Sequence, residues 1–115
     1  MKILLAACNA KYIHSNLAVF NLKAYAKEYD SQVVLREYTI NQLKDDILKD
    51  IYRCHPDVVC VSCYIWNITF VRELMQDLRK ILPDVPFWAG GPEVSYDAET
   101  FLGKNPAFNG VMVGE

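Results

Sequence analysis

"DVVCVSCYIWNITFVRELMQDLRKIL", residues 57–82, changes its period part-way along, and that change decides the fold. Up to Ser62 it is short, β-branched and almost continuously apolar, as a strand covered on both faces must be. From Asn67 onward the apolar residues recur at three and four: Val71, Leu74, Met75, Leu78 and Leu82 share one face of a helix over 67–82. Asn67 is a candidate N-cap, and Pro83 stops the helix. A buried strand that runs directly into an amphipathic helix is half of a βαβ unit.

The same alternation extends in both directions. "KILLAAC" (2–8), "QVVLREY" (32–38), "PFWAG" (86–90) and "GVMV" (110–113) read as further strands. Between them, 15–29 places Ala18, Leu22, Tyr25 and Tyr29 on one helical face, with Ser15 or Asn16 available as a cap. In 40–52, Ile40, Leu43, Ile47 and Ile51 align while Lys44, Asp45, Asp46 and Lys49 turn to water. Crossovers between parallel strands are right-handed, so the expected architecture is a doubly wound five-stranded parallel α/β sheet. The expected strand order is 2-1-3-4-5, flavodoxin-like within the wider Rossmann-like class. The chain stops just past the fifth strand, where another helix is due. Residues 1–115 therefore read as one domain from the front of a longer protein, with self-association expected through the uncovered fifth-strand edge.

Composition narrows the partners. At 115 residues with 52% apolar and 23% charged positions, the chain is a single globular domain. A formal charge of −2 offers no basic excess to displace counterions from nucleic acid. The apolar run after Lys2 is shorter than a secretory core, and no stretch approaches the ~20 apolar residues of a membrane span. The expected location is the cytoplasm. Cys60 and Cys63 form a C-x-x-C, but residues three apart on a strand point to opposite faces. Without a second such pair, the four cysteines read as reduced, structural thiols.

In open α/β sheets, ligands bind outside the carboxyl ends of the strands, where the strand order reverses. Three segments fall at that edge: "CNAKYIHSN" (8–16), "SCYIWN" (62–67) and "GGPEVS" (90–95). None carries a G-x-G-x-x-G or a phosphate loop, and no acidic pair follows the first strand. The edge offers Tyr12, His14, Tyr64, Trp66 and Asn67, and Gly90 and Gly91 remove side chains so that a ligand can approach the backbone. Such an edge suits a large, flat, partly apolar ligand better than a compact phosphate. The competing reading of the glycines is a plain strand-to-helix turn, with Pro92 opening the helix. If a ligand does approach the pair, Gly91→Val abolishes its binding with the fold intact.

Taken together, "NAKYIHSNLAVFNLKAYA", "DVVCVSCYIWNI", "WAGGPEVS" and "GVMVGE" resemble the N-terminal cobalamin-binding domain of cobalamin-dependent radical S-adenosylmethionine proteins. The likeness is to the group that includes magnesium-protoporphyrin IX monomethyl ester oxidative cyclases. It implies a module that positions a corrinoid for a C-terminal radical domain of the same polypeptide, which performs methyl transfer or oxidative cyclisation. That domain would bring S-adenosylmethionine and a 4Fe-4S iron–sulfur cluster, neither bound by this chain, which lacks the C-x-x-x-C-x-x-C motif.

In the wider cobalamin family an Asp-x-His-x-x-Gly loop, a Ser-x-Leu segment and a Gly-Gly pair hold the cofactor. Here Ser62-Cys63-Tyr64 takes the second position with Tyr in place of Leu, and Gly90-Gly91 takes the third. With His14 in register, Tyr12 stands where the Asp belongs and Leu17 where the Gly belongs. The missing carboxylate would have oriented a metal-bound imidazole. His14 is thus either a cobalt ligand or a loop histidine against the corrin edge, and radical members generally lack the histidine ligand. The resemblance gives as cofactor-binding residues Asn9, Lys11, Tyr12, His14, Ser62, Tyr64, Trp66, Asn67, Gly90, Gly91, Pro92 and Glu93. Three of these have a plainer alternative: Lys11 as a solvated loop lysine, Trp66 as a packing residue, and Glu93 as a partner of the helix dipole. His55, at the opposite edge, has no functional role in this reading. Two rivals stand beside the cobalamin module: a vestigial domain that serves as a docking or assembly surface, and a flavin- or nucleotide-binding flavodoxin-like module.

Overall fold

Strand β1 (Lys2–Asn9) is central, pairing in parallel with β2 (Gln32–Thr39) on one side and β3 (Val58–Ser62) on the other. Strand β4 (Phe87–Gly90) follows β3, and β5 (Gly110–Met112) closes the row in the expected order β2-β1-β3-β4-β5. These assignments come from a computed structural model that describes residues 2–9, 32–63, 67–91 and 98–112. The expected helix over 15–29 lies outside the described residues.

Among the described residues three helices connect the strands: α1 (Lys44–Cys54), α2 (Ile68–Ile81) and α3 (Ala98–Lys104). All three lie against one face of the sheet. There Leu4, Ala6 and Cys8 of β1, Val59 and Val61 of β3, and Phe87 and Ala89 of β4 meet Ile47 and Ile51 of α1 and Val71, Leu74, Met75 and Leu78 of α2. Each large side chain fully buried in this layer contributes about 1.5–3 kcal/mol. The alternate residues Leu5, Ala7 and Cys60 form a smaller cluster on the opposite face. The period of two along each strand separates Cys60 from Cys63, which belongs to the first cluster. All four cysteines are reduced and buried.

Helix α1 begins later than its apolar spacing predicts. Thr39 and Gln42 close a turn, with Gln42 N–H donating to Thr39 O (3.1 Å) and Thr39 N–H to Gln42 Oε1 (2.7 Å). That turn occupies Ile40–Gln42 and leaves Leu43 outside the core, 72% exposed. The helix buries Ile47 and Ile51, as its spacing predicts, and adds Cys54. It ends on His55, whose left-handed backbone (φ 52°) lets its N–H return to Tyr52 O at 3.2 Å. Sequence reasoning did not delimit α3. It is seven residues long, contains Gly103, and presents only half-buried Phe101 and Leu102 to the core.

Candidate cofactor site at the carboxyl edge of the sheet

The ladders around β1 and β3 end at different heights. β1 stays paired with β2 as far as Asn9–Thr39, but with β3 only from Ile3–Val58 to Ala6–Val61. β3 meanwhile stays with β4 to Ser62–Gly90, and Cys63 N–H extends that contact to Gly90 O at 2.7 Å. The sheet therefore opens at its carboxyl edge between β1 and β3. This is also where the strand order reverses, the place at which open α/β sheets bind their ligands.

Buried Asn67 spans this opening. Its backbone starts α2, with Asn67 O accepting Val71 N–H at 2.9 Å, but its side chain makes no capping bond. The carboxamide instead turns back to the sheet and donates to Cys8 O (2.9 Å) and Ser62 O (3.3 Å), the exits of β1 and β3. The N-cap reading of Asn67 is right about position and wrong about the side chain, because two strand-end carbonyls compete for the same donor.

Gly91 lies beside this edge with φ +102°. A Cβ built there would sit 2.5 Å from Cys63 O and 3.1 Å from Cys63 N. A side chain at 91 thus collides with the backbone of the neighbouring strand end before any ligand is considered. Gly91→Val would consequently disturb the β3–β4 edge itself, which corrects the expectation that it spares the fold.

The family model for the B12 binding domain matches residues 3–115, all five strands included. The chain belongs to the B12-binding domain family. Among curated proteins it is 28% identical over 102 residues to the cobalamin-dependent radical SAM methyltransferase TokK of Streptomyces tokunonensis, an alignment covering 82% of this chain and 14% of TokK. The cobalamin-dependent S-adenosylmethionine radical enzyme OxsB, solved with aqua-cobalamin and S-adenosylmethionine bound, superposes with a TM-score of 0.77 at 18% identity. That superposition covers 93% of this chain and 16% of OxsB. A cobalamin-binding protein from Desulfitobacterium hafniense DCB-2 gives a TM-score of 0.71 at 16% identity, covering 96% of this chain and 52% of that one. This B12-binding domain thus spans about a seventh of the curated relative's length.

Of the candidate residues in this B12-binding domain, Ser62, Asn67, Gly90 and Gly91 come together at the open edge, and the backbone of Asn9 ends β1 beside them. Lys11, Tyr12, His14, Tyr64, Trp66, Pro92 and Glu93 lie outside the described residues. Sequence reasoning missed Cys8 and Cys63, which contribute backbone rather than side chains. Only a strand register could have exposed that role. Burial pushes the Cys8 thiol up to about 12 and the Cys60 thiol to about 11, so both are protonated at neutral pH. Among the described residues, no three His, Cys, Asp or Glu side chains gather to hold a metal. No helix among them is long and apolar enough to cross a membrane. A separate open groove, lined by Asp45, Leu48, Lys49, Tyr52, Arg53 and Ile81, runs between α1 and α2 and shares no residue with the sheet edge.

Proposed function

We propose that this chain binds cobalamin at the carboxyl edge of β1, β3 and β4 and presents it to a radical S-adenosylmethionine domain of the same polypeptide. The observation that carries this reading is the opening between β1 and β3 at the switch point, in a chain that matches the B12 binding domain over 3–115. We place the slender nucleotide tail of cobalamin in a slot at this edge, against the backbone between the ends of β1 and β3. Ser62 and Gly90 would line the slot. Tyr12, His14, Tyr64 and Trp66, which follow β1 and β3 in the sequence, would meet the corrin, and Asn9, Lys11, Pro92 and Glu93 its periphery.

When bound, the corrinoid supplies cobalt-centred methyl or electron transfer; the protein supplies position and surroundings. The chain by itself catalyses nothing. In the whole protein the radical domain would contribute S-adenosylmethionine and the iron–sulfur cluster. Methyl transfer is the chemistry that TokK's name carries, and the likeness to magnesium-protoporphyrin cyclases makes oxidative cyclisation the alternative. Four buried thiols suit the reducing cytoplasm in which such a cluster survives.

Two observations favour a second reading, a domain that keeps the fold as a docking surface without cofactor. Gly91 is required by its packing on Cys63 whether or not a ligand is present, and Tyr12 stands where an orienting carboxylate belongs. Titration of the chain with hydroxocobalamin, followed by visible absorption and repeated with His14→Ala, separates the two. Saturable binding with a spectrum indifferent to the substitution is the expected result. A spectral shift lost in the variant would make His14 the cobalt ligand, and no binding would leave the docking surface.

A further inference from the structure

We infer that Asn67 is a positioning residue: its carboxamide holds the exits of β1 and β3 at a fixed separation and so sets the width of the slot that admits the cofactor's nucleotide tail. The inference rests on the proposed cobalamin binding and assigns a part of it to one side chain.

The argument is geometric. Backbone hydrogen bonds fix the spacing of β1 and β3 only up to Ala6–Val61. Beyond that level, β1 is held from outside by β2 and β3 from outside by β4. Each outer ladder can pull its strand away from the other. The carboxamide of Asn67 reaches across this gap to one carbonyl on each side, Cys8 O at 2.9 Å and Ser62 O at 3.3 Å. It is only 1% exposed, so water does not replace these bonds readily. Its backbone begins α2, whose buried Val71, Leu74, Met75 and Leu78 anchor the helix in the core. The clamp is therefore fastened to the main hydrophobic core of the domain. A side chain so placed does not need to touch the cofactor, which distinguishes this role from the direct contact expected of Asn67 on sequence.

The tail is the discriminating part of the ligand. Cobalamin carries the nucleotide and cobinamide lacks it, while both present the same corrin. If Asn67 sets the slot, Asn67→Ala and Asn67→Leu, the latter similar in size but without a donor, weaken hydroxocobalamin binding roughly tenfold while diaquocobinamide affinity stays within about twofold. A merely structural role would weaken both corrinoids alike, and equal losses would overturn the inference while sparing the cobalamin reading. A wild-type chain that bound neither corrinoid would remove both. A companion measurement needs no variant: exchange of the Asn67 side-chain amide protons in the wild-type chain, followed by nuclear magnetic resonance. These protons should exchange more slowly than those of exposed Asn109, and more slowly still with cobalamin but not with cobinamide. Exchange at the rate of Asn109 would overturn the clamp even if both variants failed to fold.

Discussion

At the scale of single residues, two positions carry more than their type announces. Gly91 reads as a vacancy for a ligand, yet the structure makes it a packing requirement, with φ +102° and the Cys63 carbonyl 2.5 Å from any Cβ. Gly91→Ala is therefore expected to lower stability by about 1–3 kcal/mol without cofactor present, since the obstacle is backbone and cannot rotate aside. Urea unfolding of the apo chain checks this; an unchanged midpoint would return Gly91 to the role of ligand approach. Asn67 shows the reverse. An asparagine before a helical run looks like a cap, and only the ends of two strands distant in sequence reveal what its amide does. The aromatic and histidine residues that follow β1 and β3 in the sequence were legible as candidates because such residues are unusual after a buried strand. Their roles were not, because a role depends on where a side chain points.

Elements are joined in this domain by a few side chains of long reach. Arg79 on α2 is the clearest: its guanidinium lies 3.8 Å from the centre of the Phe87 ring and donates to Val85 O (2.7 Å), Ala107 O (2.7 Å) and Asn109 Oδ1 (2.7 Å). It thus ties the end of α2 to the turns that open β4 and β5. The same Asn109 Oδ1 also accepts Phe87 N–H at 2.8 Å, so the register of both strands passes through one carboxamide oxygen. Burial lowers the affinity of Arg79 for its proton, but the forked group stays charged at any working pH. Lysine cannot reproduce a planar fork that serves several carbonyls. Arg79→Lys should therefore recover little of the loss in Arg79→Ala, which we expect at about 2–3 kcal/mol from the bonds and the ring contact together. Thermal unfolding of both variants measures it, and full rescue by lysine would show that only charge matters. Helix α2 was legible because its apolar stripe is regular. Helix α1 was displaced by a turn whose glutamine the periodicity ignores, and α3 was too short to show a period.

For the molecule as a whole, stability should decrease from the middle of the sheet outward. β1 and β3 each pair on both sides, whereas β5 is an edge strand of three residues. Native-state hydrogen exchange is expected to protect Leu4, Leu5, Val59 and Cys60 most strongly, and Val111 least among strand residues. Slow exchange at Val111 to the same degree would mean that the edge is covered in solution. The proposed slot follows the same asymmetry, since it is placed between the ends of two strands that each pair on both sides.

The sequence by itself determined the five strands, the parallel sheet and the core face of α2, whereas the start of α1 and the exposure of Leu43 escaped it. What it determined follows from periodicity and from the handedness of short crossovers, which are local rules. Only the tertiary structure decided where the ladder between β1 and β3 stops, that Gly91 packs on Cys63, and that Asn67 bridges the gap. Each of these is a distance between residues far apart in the chain, and no local preference encodes a separation in space.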